Sequence, residues 1–473
     1  MHSPLVVLGG GPGGYAAAFL AADQGMEVTI VESSPVLGGA CLMHGCIPSK
    51  ALLHVAHVMR EARELQTWGV DIENVVIDVD RMRAQKETVL RRLAGGLGQL
   101  AKGRKVNLVQ ARGTLIDNHT LKLDGSGGSN PAAATLSFDH LILATGSRPA
   151  VPGPLAVDSD RVMDSTAALE LKDVPDRLLV VGGGYIGLEM ATVYSALGSQ
   201  VTVVELTDGL LPGVDRDLVR NLQRRLSSQL SELHLGTQVQ ALTAAATHVM
   251  AQCGKAGESW AGEFDRVLIA VGRRPNSDGL GLENTAIQLD DRGFVVTDDQ
   301  LRTAESHICA IGDLAGEPML AHKASHQGRL VVAGLQGQVA TFGEQVIPAV
   351  VFTDPEIAWC GITEQTAKQT ATVVETAMFP WAASGRAQAV GRPDGLTKWF
   401  VEPGSERLLG CGIVGVGAGE LIAEATLAVQ KKLTVKDITS TIHPHPTMSE
   451  TVLASAEAFY GTATEIYKPR RPG

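Results

Sequence analysis

The stretch that decides the fold is Leu5-Val6-Val7-Leu8-Gly9-Gly10-Gly11-Pro12-Gly13-Gly14. Its apolar beginning is typical of a buried β-strand, and residues 15–24 after it have helical character. Val28-Thr29-Ile30-Val31 predicts a second strand, which ends in Glu32, 18 positions after the last glycine. This order indicates a βαβ unit that binds a dinucleotide, although a single G-x-G-x-x-G is often only a glycine-rich turn.

The same pattern occurs a second time along the chain. Leu178-Leu179-Val180-Val181 leads into Gly182-Gly183-Gly184-Tyr185-Ile186-Gly187, and the next strand, residues 201–204, ends in Glu205, again 18 positions after the last glycine. Two copies with every part in register favour dinucleotide binding over plain turns.

Each part of the motif has a physical task. The first glycine forms a tight turn, the second lets the backbone approach a pyrophosphate, and the third lets helix and strand pack closely. The helix N-terminus offers free N–H groups to the phosphates, and the acid accepts hydrogen bonds from ribose hydroxyls. The predicted cofactor-binding residues of the two turns are Gly9, Gly11, Gly14 and Glu32 in the first copy and Gly182, Gly184, Gly187 and Glu205 in the second.

The residues after Glu205 distinguish between the two nicotinamide cofactors. No arginine follows, because Leu206-Thr207-Asp208-Gly209-Leu210 comes next. A 2′-phosphate would therefore meet a carboxylate, which repels it, so the second site is predicted to bind NAD rather than NADP.

A second repeated element supports an internal duplication. Residues 141–149 and 267–275 are each a buried-type strand that ends in glycine and a basic loop. Gly9 and Gly146 are 137 positions apart, but Gly182 and Gly272 only 90, so the first copy carries an insertion of about 47 residues. A third such strand, Ile308–Ile311, ends in Gly312-Asp313.

Length and composition limit the function further. A chain of 473 residues predicts several domains, and a net charge of -11 without a basic stripe argues against nucleic acid and anionic membranes as partners. No apolar run approaches 18 residues and no signal peptide is evident, so a cytoplasmic protein is expected. The Gly/Ser/Ala-rich segment 125–134 predicts an exposed loop.

These observations predict an α/β fold with two Rossmann-like domains. The pattern changes near Pro348 to strands and helices without glycine fingerprints, which indicates a separate C-terminal domain. The predicted boundaries are 1–150 for the first dinucleotide-binding part, 151–277 for the second, 278–347 for a return to the first, and 348–473 for the last domain.

The insertion carries a pair of cysteines, Cys41 and Cys46, for which three interpretations compete. A zinc site would need further ligands at matching spacings, and His54 and His57 form an incomplete set. A structural disulfide over so short a loop would remove only roughly 2 kcal/mol of unfolded-chain entropy. A redox disulfide fits better: Pro48 suits the start of a helix, and a helix N-terminus with Lys50 one turn later favours the Cys46 thiolate.

The segment Gly38-Gly39-Ala40-Cys41-Leu42-Met43-His44-Gly45-Cys46-Ile47-Pro48-Ser49-Lys50 resembles the redox signature of class I pyridine nucleotide-disulfide oxidoreductases. Within that family the chain is most similar to dihydrolipoamide dehydrogenases, the E3 components of 2-oxo acid dehydrogenase complexes. The similarity runs end to end. It includes residues 144–146, 272–276, 311–313, 319–324, 379–386 and 443–450.

The resemblance implies a role for particular residues. Cys41 would meet the substrate, Cys46 would face the flavin, and Lys50 would lie near flavin N5 and pair with Glu189. Tyr185 stands where relatives place a gate over the nicotinamide pocket. The other residues assigned to FAD or NAD are Thr145, Gly146, Gly272, Asp313 and Ala321.

The last motif, His443-Pro444-His445-Pro446-Thr447-Met448-Ser449-Glu450, has two interpretations. Imidazole titrates near neutral pH and suits a base for a substrate thiol, and the resemblance assigns that role to His445 with Glu450 as its partner. Thr447-x-x-Glu450 is also a capping box that would open a helix near Met448. His443 is expected to be a structural neighbour.

The resemblance implies that dihydrolipoyl groups are oxidised by NAD through FAD, in a homodimer whose C-terminal α+β domain dimerises and whose His445 comes from the other subunit. Its partners would be a lipoyl domain and the subunit-binding domain of an E2 acyltransferase, or an H-protein. The alternatives are another NAD(P)H-dependent disulfide reductase of the family, or a flavoprotein subunit without catalysis. Ala40, Met43, His44 and Pro444 depart from the commoner residues of relatives, which leaves the redox potential and pH profile open.

Overall fold

The fold is taken from a computed structural model, which describes residues 1–73, 75–125, 134–255, 257–338, 341–343 and 345–467. The loop predicted over 125–134 lies almost entirely outside the described residues. The structure divides into a first α/β unit, a second α/β unit with the same topology, a return to the first sheet, and a C-terminal antiparallel unit.

The first unit is a seven-stranded sheet that contains the first glycine turn. Its strand order is β3-β2-β1-β6-β5-β4, with one later strand added beside β6. Its strands and helices are β1 (His2–Leu8), α1 (Pro12–Asp23), β2 (Val28–Glu32), α2 (Gly39–His44), α3 (Cys46–Glu64), α4 (Val79–Gly103), β3 (Asn107–Gln110), β4 (Arg112–Asp117), β5 (Thr120–Asp124), β6 (Ala134–Leu143) and β7 (Ser147–Pro149).

The first strand is longer than its apolar run predicts. It begins at His2 rather than at Leu5, because His2 and Ser3 already pair with Ser137 and Phe138 of β6. Backbone pairing extends the strand into residues whose side chains carry no strand pattern.

The second unit repeats the arrangement of the first. Its sheet has the order β11-β10-β9-β15-β8, so the glycine-bearing strand β9 lies between two parallel neighbours, as β1 does. A three-stranded antiparallel sheet, β12-β13-β14, is added. The elements are β8 (Val162–Met163), α5 (Ser165–Glu170), β9 (Arg177–Val181), α6 (Tyr185–Leu197), β10 (Gln200–Glu205), α7 (Arg216–Ser227), β11 (Glu232–Leu235), β12 (Gln238–Ala244), β13 (Val249–Lys255), β14 (Glu258–Phe264), β15 (Arg266–Ile269) and β16 (Arg273–Pro275). The predicted duplication is present in the fold.

The two basic loops of the repeats meet each other. β7 and β16 form an antiparallel pair in which Arg148 lies opposite Arg274. The chain then returns to the first unit, where β17 (Ile308–Ala310) pairs with β6 and α8 (Ala321–Leu335) packs along α1. This contact is tight, since a Cβ on Gly328 would lie 2.6 Å from the Gly13 carbonyl oxygen. The four boundaries given by sequence stay predictions.

The C-terminal unit is an antiparallel sheet of order β18-β19-β22-β21-β20, whose core includes the fully buried Trp381 and Trp399. Its elements are β18 (Ala349–Val351), β19 (Glu356–Gly361), α9 (Glu364–Gln369), β20 (Glu375–Pro380), α10 (Gly385–Ala389), β21 (Leu396–Val401), β22 (Leu408–Gly415), α11 (Ala418–Gln430), α12 (Val435–Thr439) and α13 (Glu450–Tyr460). The predicted fold class is confirmed: two Rossmann-like units and a C-terminal α+β unit. Within the described ranges, every helix is too short or too polar to cross a lipid bilayer.

Candidate active site

The first glycine of each turn lies where no side chain fits. Gly9 has a φ of 109°, and a Cβ there would lie 2.3 Å from the Ala144 carbonyl oxygen. Gly182 has a φ of 112°, and its Cβ would lie 2.4 Å from the Ala270 carbonyl oxygen. Both turns therefore bend back onto the adjacent strand, which is the geometry expected of a dinucleotide fingerprint.

The second glycine of each turn faces open space. A Cβ at Gly184 would meet no atom within 4 Å, and one at Gly11 would meet only the Cα of Gly39 at 3.9 Å. Gly11 and Gly184 are the N-caps of α1 and α6, and neither helix has a side-chain cap. The uncapped first-turn N–H groups and the open approach fit a pyrophosphate at both sites.

The two predicted ribose-binding acids are held in the same way. Glu32 accepts hydrogen bonds from the amides of Gly10 at 2.6 Å and Ser34 at 2.8 Å. Glu205 accepts them from the amides of Gly183 at 2.6 Å and Thr207 at 2.7 Å. Each carboxylate is thus oriented by the backbone at the end of its strand and retains lone pairs for a ribose.

This arrangement explains the middle glycine of both Gly-Gly-Gly runs, which the fingerprint does not require. A Cβ on Gly10 would lie 2.7 Å from Leu37 Cδ2 and 3.1 Å from Glu32 Oε2. One on Gly183 would lie 2.7 Å from Leu210 Cδ2 and 3.1 Å from the Cβ of Glu205. The Gly-Gly-Gly run in both copies was the sequence pattern that could have indicated this close contact.

Cys41 and Cys46 lie on two consecutive helices and are free thiols in the structure. Cys46 is the first residue of α3, as predicted from Pro48. The hydrogen bond from Cys41 and the nearby Lys50 ammonium lower the pKa of the Cys46 thiol to about 7, although burial and the Glu189 charge act to raise it. The same hydrogen bond, together with burial, raises the pKa of Cys41. Cys46 is therefore the thiolate of the pair.

Near Cys46 lies an ion pair between the half-buried Lys50 and the buried Glu189. Lys50 Nζ donates to both oxygens of Glu189, at 3.0 and 2.9 Å, and Glu189 is 4% exposed. The C-terminal unit completes this group: the Phe352 amide donates to Glu189 Oε1 at 3.1 Å, and the Phe352 ring centroid lies 4.4 Å from Lys50 Nζ. No local sequence pattern indicates a role for Phe352, which is 163 positions from Glu189.

The remaining candidate cofactor residues lie around the junction of the two repeats. Thr145 and Asn276 exchange two hydrogen bonds, at 3.0 and 2.9 Å, which tie the two basic loops together. Asp313 accepts a hydrogen bond from the Ser147 hydroxyl, which in turn accepts one from Arg273 Nε at 2.8 Å. Ser147 and Arg273 were missed from the sequence, because only the folded β7–β16 pair brings them to Asp313.

Other candidates are placed at turns and helix starts. Gly146 and Gly272 have positive φ values of 71° and 132°. Ala321 is the first residue of α8, whose N-terminus carries no side-chain cap. Tyr185 is the first residue of α6 and is 40% exposed, and its role as a gate stays a prediction.

His445 and Glu450 form the second chemical group. His445 Nδ1 lies 2.8 Å from Glu450 Oε1, and Glu450 Oε2 accepts a hydrogen bond from the Thr447 amide at 2.8 Å. Burial acts to raise the pKa of Glu450, but the Thr447 amide and His445 together hold it below its usual range. Because the two oxygens serve different partners, the carboxylate orients the imidazole and supports the turn at once.

The predicted capping box is only half formed. Helix α13 begins at Glu450 rather than near Met448, its N-cap is Ser449, and no side chain caps it. The Thr447 hydroxyl instead donates to the Pro444 carbonyl at 2.8 Å. Of the two hydrogen bonds that define a capping box, only the one from the Thr447 amide to the Glu450 carboxylate is formed.

The two histidines of this segment differ in exposure. The side chain of His445 is 79% exposed, whereas that of His443 is 4% exposed and its Nε2 lies 3.0 Å from Glu424 Oε1. The buried contact of His443 with Glu424 fits the expected structural role, which stays a prediction. Within the part of the chain that is described, no hydrogen bond or ion pair joins His445 to either cysteine.

The described residues offer no metal site at the cysteines. One acidic cluster has metal-like spacing, Asp215, Asp217 and Glu364, and it lies elsewhere. The buried Lys398 ammonium occupies it, at 2.8 to 2.9 Å from the three carboxylates. The zinc interpretation of Cys41 and Cys46 thus gains no support from the geometry.

Comparison with known proteins agrees with the geometry. Residues 3–328 match the model of the pyridine nucleotide-disulphide oxidoreductase family, and residues 347–456 match the dimerisation domain of that family. Its members use FAD and NAD, which fit the two open, uncapped glycine turns with their backbone-held acids.

Curated relatives match over nearly their whole length. Dihydrolipoyl dehydrogenase of Vibrio cholerae is 44% identical over 98% of this chain and 97% of its own, and that of Haemophilus influenzae is 45% identical with the same coverage. Among solved structures, LpdA from Mycobacterium tuberculosis superposes with a TM-score of 0.89 at 28% identity, over 97% of this chain and 99% of its own. The HOCl-induced flavoprotein disulfide reductase RclA from Escherichia coli, as its Cu(II) complex, has a TM-score of 0.85 at 27% identity, with the same coverage. From its fold, its site and these relatives, the chain belongs to the pyridine nucleotide-disulphide oxidoreductase family.

Proposed function

We propose that the protein oxidises dihydrolipoyl groups to lipoyl groups with NAD, through FAD and a disulfide between Cys41 and Cys46. The observation that carries this is the setting of the thiol pair: Cys41 and Cys46 lie on two consecutive helices, Cys46 is the first residue of α3, and Lys50, one turn later, is bound to Glu189 at 2.9 Å. The dihydrolipoyl substrate is supported by the names of the relatives that are 39–45% identical over almost the full length.

In the proposed thiol exchange, each sulfur–sulfur bond that forms replaces one that breaks. A deprotonated substrate sulfur attacks Cys41, the Cys41–Cys46 bond breaks, and Cys46 leaves as a thiolate. Its low pKa makes it the better leaving group. The second substrate sulfur then attacks the mixed disulfide, which releases Cys41 and closes the lipoyl ring. Two electrons now reside on the protein sulfurs: one substrate proton is taken up by the released Cys41, whose pKa is raised, and the other leaves through the base to water, while Cys46 stays a thiolate.

FAD would be held at the first glycine turn by Gly9, Gly11, Gly14 and Glu32, where it would supply an acceptor for this electron pair and a hydride donor for NAD. The protein holds Cys46 ionised for that step through Cys41 and Lys50. Glu189 and the Phe352 ring hold the Lys50 ammonium in place.

His445 is the proposed base for the substrate thiol. It is exposed, and Glu450 holds its Nδ1, so Nε2 is free to take the proton. Because no bond of the described chain joins it to the cysteines, and because residues 347–456 match a dimerisation domain, we propose a homodimer in which each site uses Cys41 and Cys46 of one subunit and His445 of the other.

The proposed partners follow from this chemistry. They are a lipoyl domain and the subunit-binding domain of an E2 acyltransferase, or an H-protein, in the cytoplasm. The rival is a flavoprotein subunit that binds cofactors without catalysis, and the intact thiol pair and His445–Glu450 pair argue against it.

The decisive experiment is dihydrolipoamide-dependent formation of NADH, followed by absorbance. The protein should form NADH, and Cys41→Ser should abolish turnover while the protein stays yellow with bound FAD, because Cys41 meets the substrate rather than the flavin. No NADH formation by the unaltered protein would exclude the proposed function. Colourless Cys41→Ser protein would show that Cys41 is needed for FAD binding instead.

A further inference from the structure

A short segment of the C-terminal unit, Phe352 to Asp354, reaches the redox helix at two places. At one end the Phe352 amide donates to Glu189 and the Phe352 ring lies under Lys50. At the other end the Asp354 carboxylate, which is 5% exposed, lies beside Arg60 of the same helix α3 that carries Cys46 and Lys50. Thr353 closes the turn between them, since its hydroxyl donates to the Pro355 carbonyl at 2.8 Å.

Asp354 joins all three units of the molecule. Arg60 Nη1 of α3 donates to Oδ2 at 3.1 Å, and Arg225 Nη2 of α7 donates to the same oxygen at 3.2 Å. Arg392, in the loop after α10, donates to Oδ1. Burial opposes the charge of Asp354, yet the three guanidinium groups lower its pKa to about 2.

Asp354 is the acidic partner that the three arginines share. Among the described residues, Arg225 has one further acidic partner, Glu64, and Arg392 has Asp394 at 3.4 Å. Arg60 is ion-paired to Asp354 alone. Removing the Asp354 charge would leave three guanidinium groups crowded together and repelling one another.

We propose that Asp354 is a positioning residue of the redox centre: its ion pairs with Arg60, Arg225 and Arg392 hold Phe352 against the Lys50–Glu189 pair and so set the charge that Cys46 experiences. This inference rests on the proposed redox role of Cys41 and Cys46. It assigns to an interdomain ion cluster a task in the chemistry as well as in the fold.

The effect on Cys46 has a definite sign. Cys41 and Lys50 favour its thiolate, whereas Glu189 disfavours it, and the Tyr15 and Tyr185 hydroxyls are the other titratable groups near it. The Phe352 amide is a donor that partly neutralises Glu189. When the segment shifts, Glu189 loses that donor, its negative potential at Cys46 increases, and the thiolate becomes less favourable.

The test compares two neutral, isosteric variants, Asp354→Asn and Asp215→Asn, both in a Cys41→Ser background and both loaded with FAD. Asp215 is the matched control, because it is also a buried carboxylate between the second unit and the C-terminal unit, bound to Lys398 and to the Glu364 amide, each at 2.9 Å. None of its described contacts reaches Lys50 or Glu189. The alkylation rate of Cys46 by iodoacetamide is measured against pH.

Asp354→Asn should raise the midpoint of Cys46 alkylation by about one pH unit, and Asp215→Asn should leave it unchanged. Equal shifts in both variants, or none in Asp354→Asn, would overturn the inference, whatever happens to the unfolding temperature. If Asp354→Asn does not fold, Arg60→Gln removes one guanidinium and should give a smaller shift of the same sign. An unchanged midpoint in that variant would also overturn it.

The same measurements separate this inference from the proposed function. If the parent Cys41→Ser protein shows an ordinary thiol at Cys46 and the unaltered protein forms no NADH from dihydrolipoamide, the redox assignment fails. If both behave as proposed and only the Asp354 variants leave the midpoint unmoved, the positioning role alone fails.

Discussion

At the scale of single residues, the site separates two chemically identical thiols by their surroundings. Cys46 receives the hydrogen bond of Cys41 and faces the Lys50 ammonium from the first turn of α3. Cys41 donates that bond and is more costly to ionise. One sulfur is therefore suited to leave and to contact a flavin, and the other to meet a substrate.

This difference predicts a pH titration. In protein reduced with a dithiol and loaded with FAD, a long-wavelength thiolate–flavin absorption band should be present above a midpoint near pH 7 and should be lost as the pH falls through it, because only the thiolate donates charge. The absorption spectrum of the reduced protein between pH 5 and 9 measures it. Cys46→Ser should lack the band at every pH. A band that persists in Cys46→Ser would place the other sulfur against the ring.

The imidazole of His445 supports a second residue-level prediction. His445→Gln should lower dihydrolipoamide oxidation at least about a hundredfold, the scale of lost general-base catalysis. NADH-dependent reduction of ferricyanide, which needs no thiol exchange, is the control and should change little. Near-normal oxidation of dihydrolipoamide in this variant would make His445 purely structural.

At the scale of elements, the two βαβ turns have the same geometry and different expected ligands. In the second turn, a Cβ on Gly182 would clash with the Ala270 carbonyl, whereas a Cβ on Gly184 would meet no atom within 4 Å. The turn is therefore tightly packed at Gly182 and accessible at Gly184. A side chain at Gly182 therefore distorts the turn that receives the NAD pyrophosphate.

Gly182→Ala should raise the KM for NAD at least about tenfold while FAD stays bound, because only the second turn is disturbed. Gly198→Ala is the matched control, since Gly198 has a φ of 114° but open space around its Cβ position. The Gly198→Ala variant has the same strain of a positive φ but no steric clash at its Cβ, so its KM for NAD should be normal. Steady-state kinetics against NAD, together with flavin content, distinguish them. A similar rise in both variants would attribute the effect to strain alone.

At the scale of the whole molecule, the groups proposed to be catalytic are divided between distant parts of one chain. His445 is 79% exposed and makes its described contacts within its own segment, while the thiols lie on α2 and α3. A homodimer that pairs the two groups across subunits explains both facts.

Mixed dimers test this arrangement. Cys41→Ser and His445→Gln proteins should each be nearly inactive, yet dimers re-formed from an equal mixture should regain about a quarter of normal activity, because half are mixed and each of those has one intact site of two. Size-exclusion chromatography verifies the re-formed dimers. If the site lay within one subunit, every site in the mixture would carry one defect and no activity would return.

Much of this arrangement was predictable from local patterns. The two glycine fingerprints, their acids and the cysteine pair depend on residues close together in the chain, where spacing reflects strand, turn and helix geometry directly. The start of β1 at His2 was missed, because its pairing with residues 137–138 gives no local pattern. The start of α13 at Glu450 was missed too, since the Thr447 hydroxyl bonds the Pro444 carbonyl instead of capping the helix.

The sequence by itself determined the duplicated nucleotide-binding architecture and the family resemblance, and it predicted the pair of reactive thiols, because each depends on short runs whose geometry the backbone dictates. Only the tertiary structure decided which groups from distant parts of the chain surround the redox helix. Phe352 approaches Glu189 across 163 positions, and Asp354 approaches Arg60 across 294. Such contacts depend on how three units pack around one another, and Coulomb interactions between buried charges act through space irrespective of their distance along the chain.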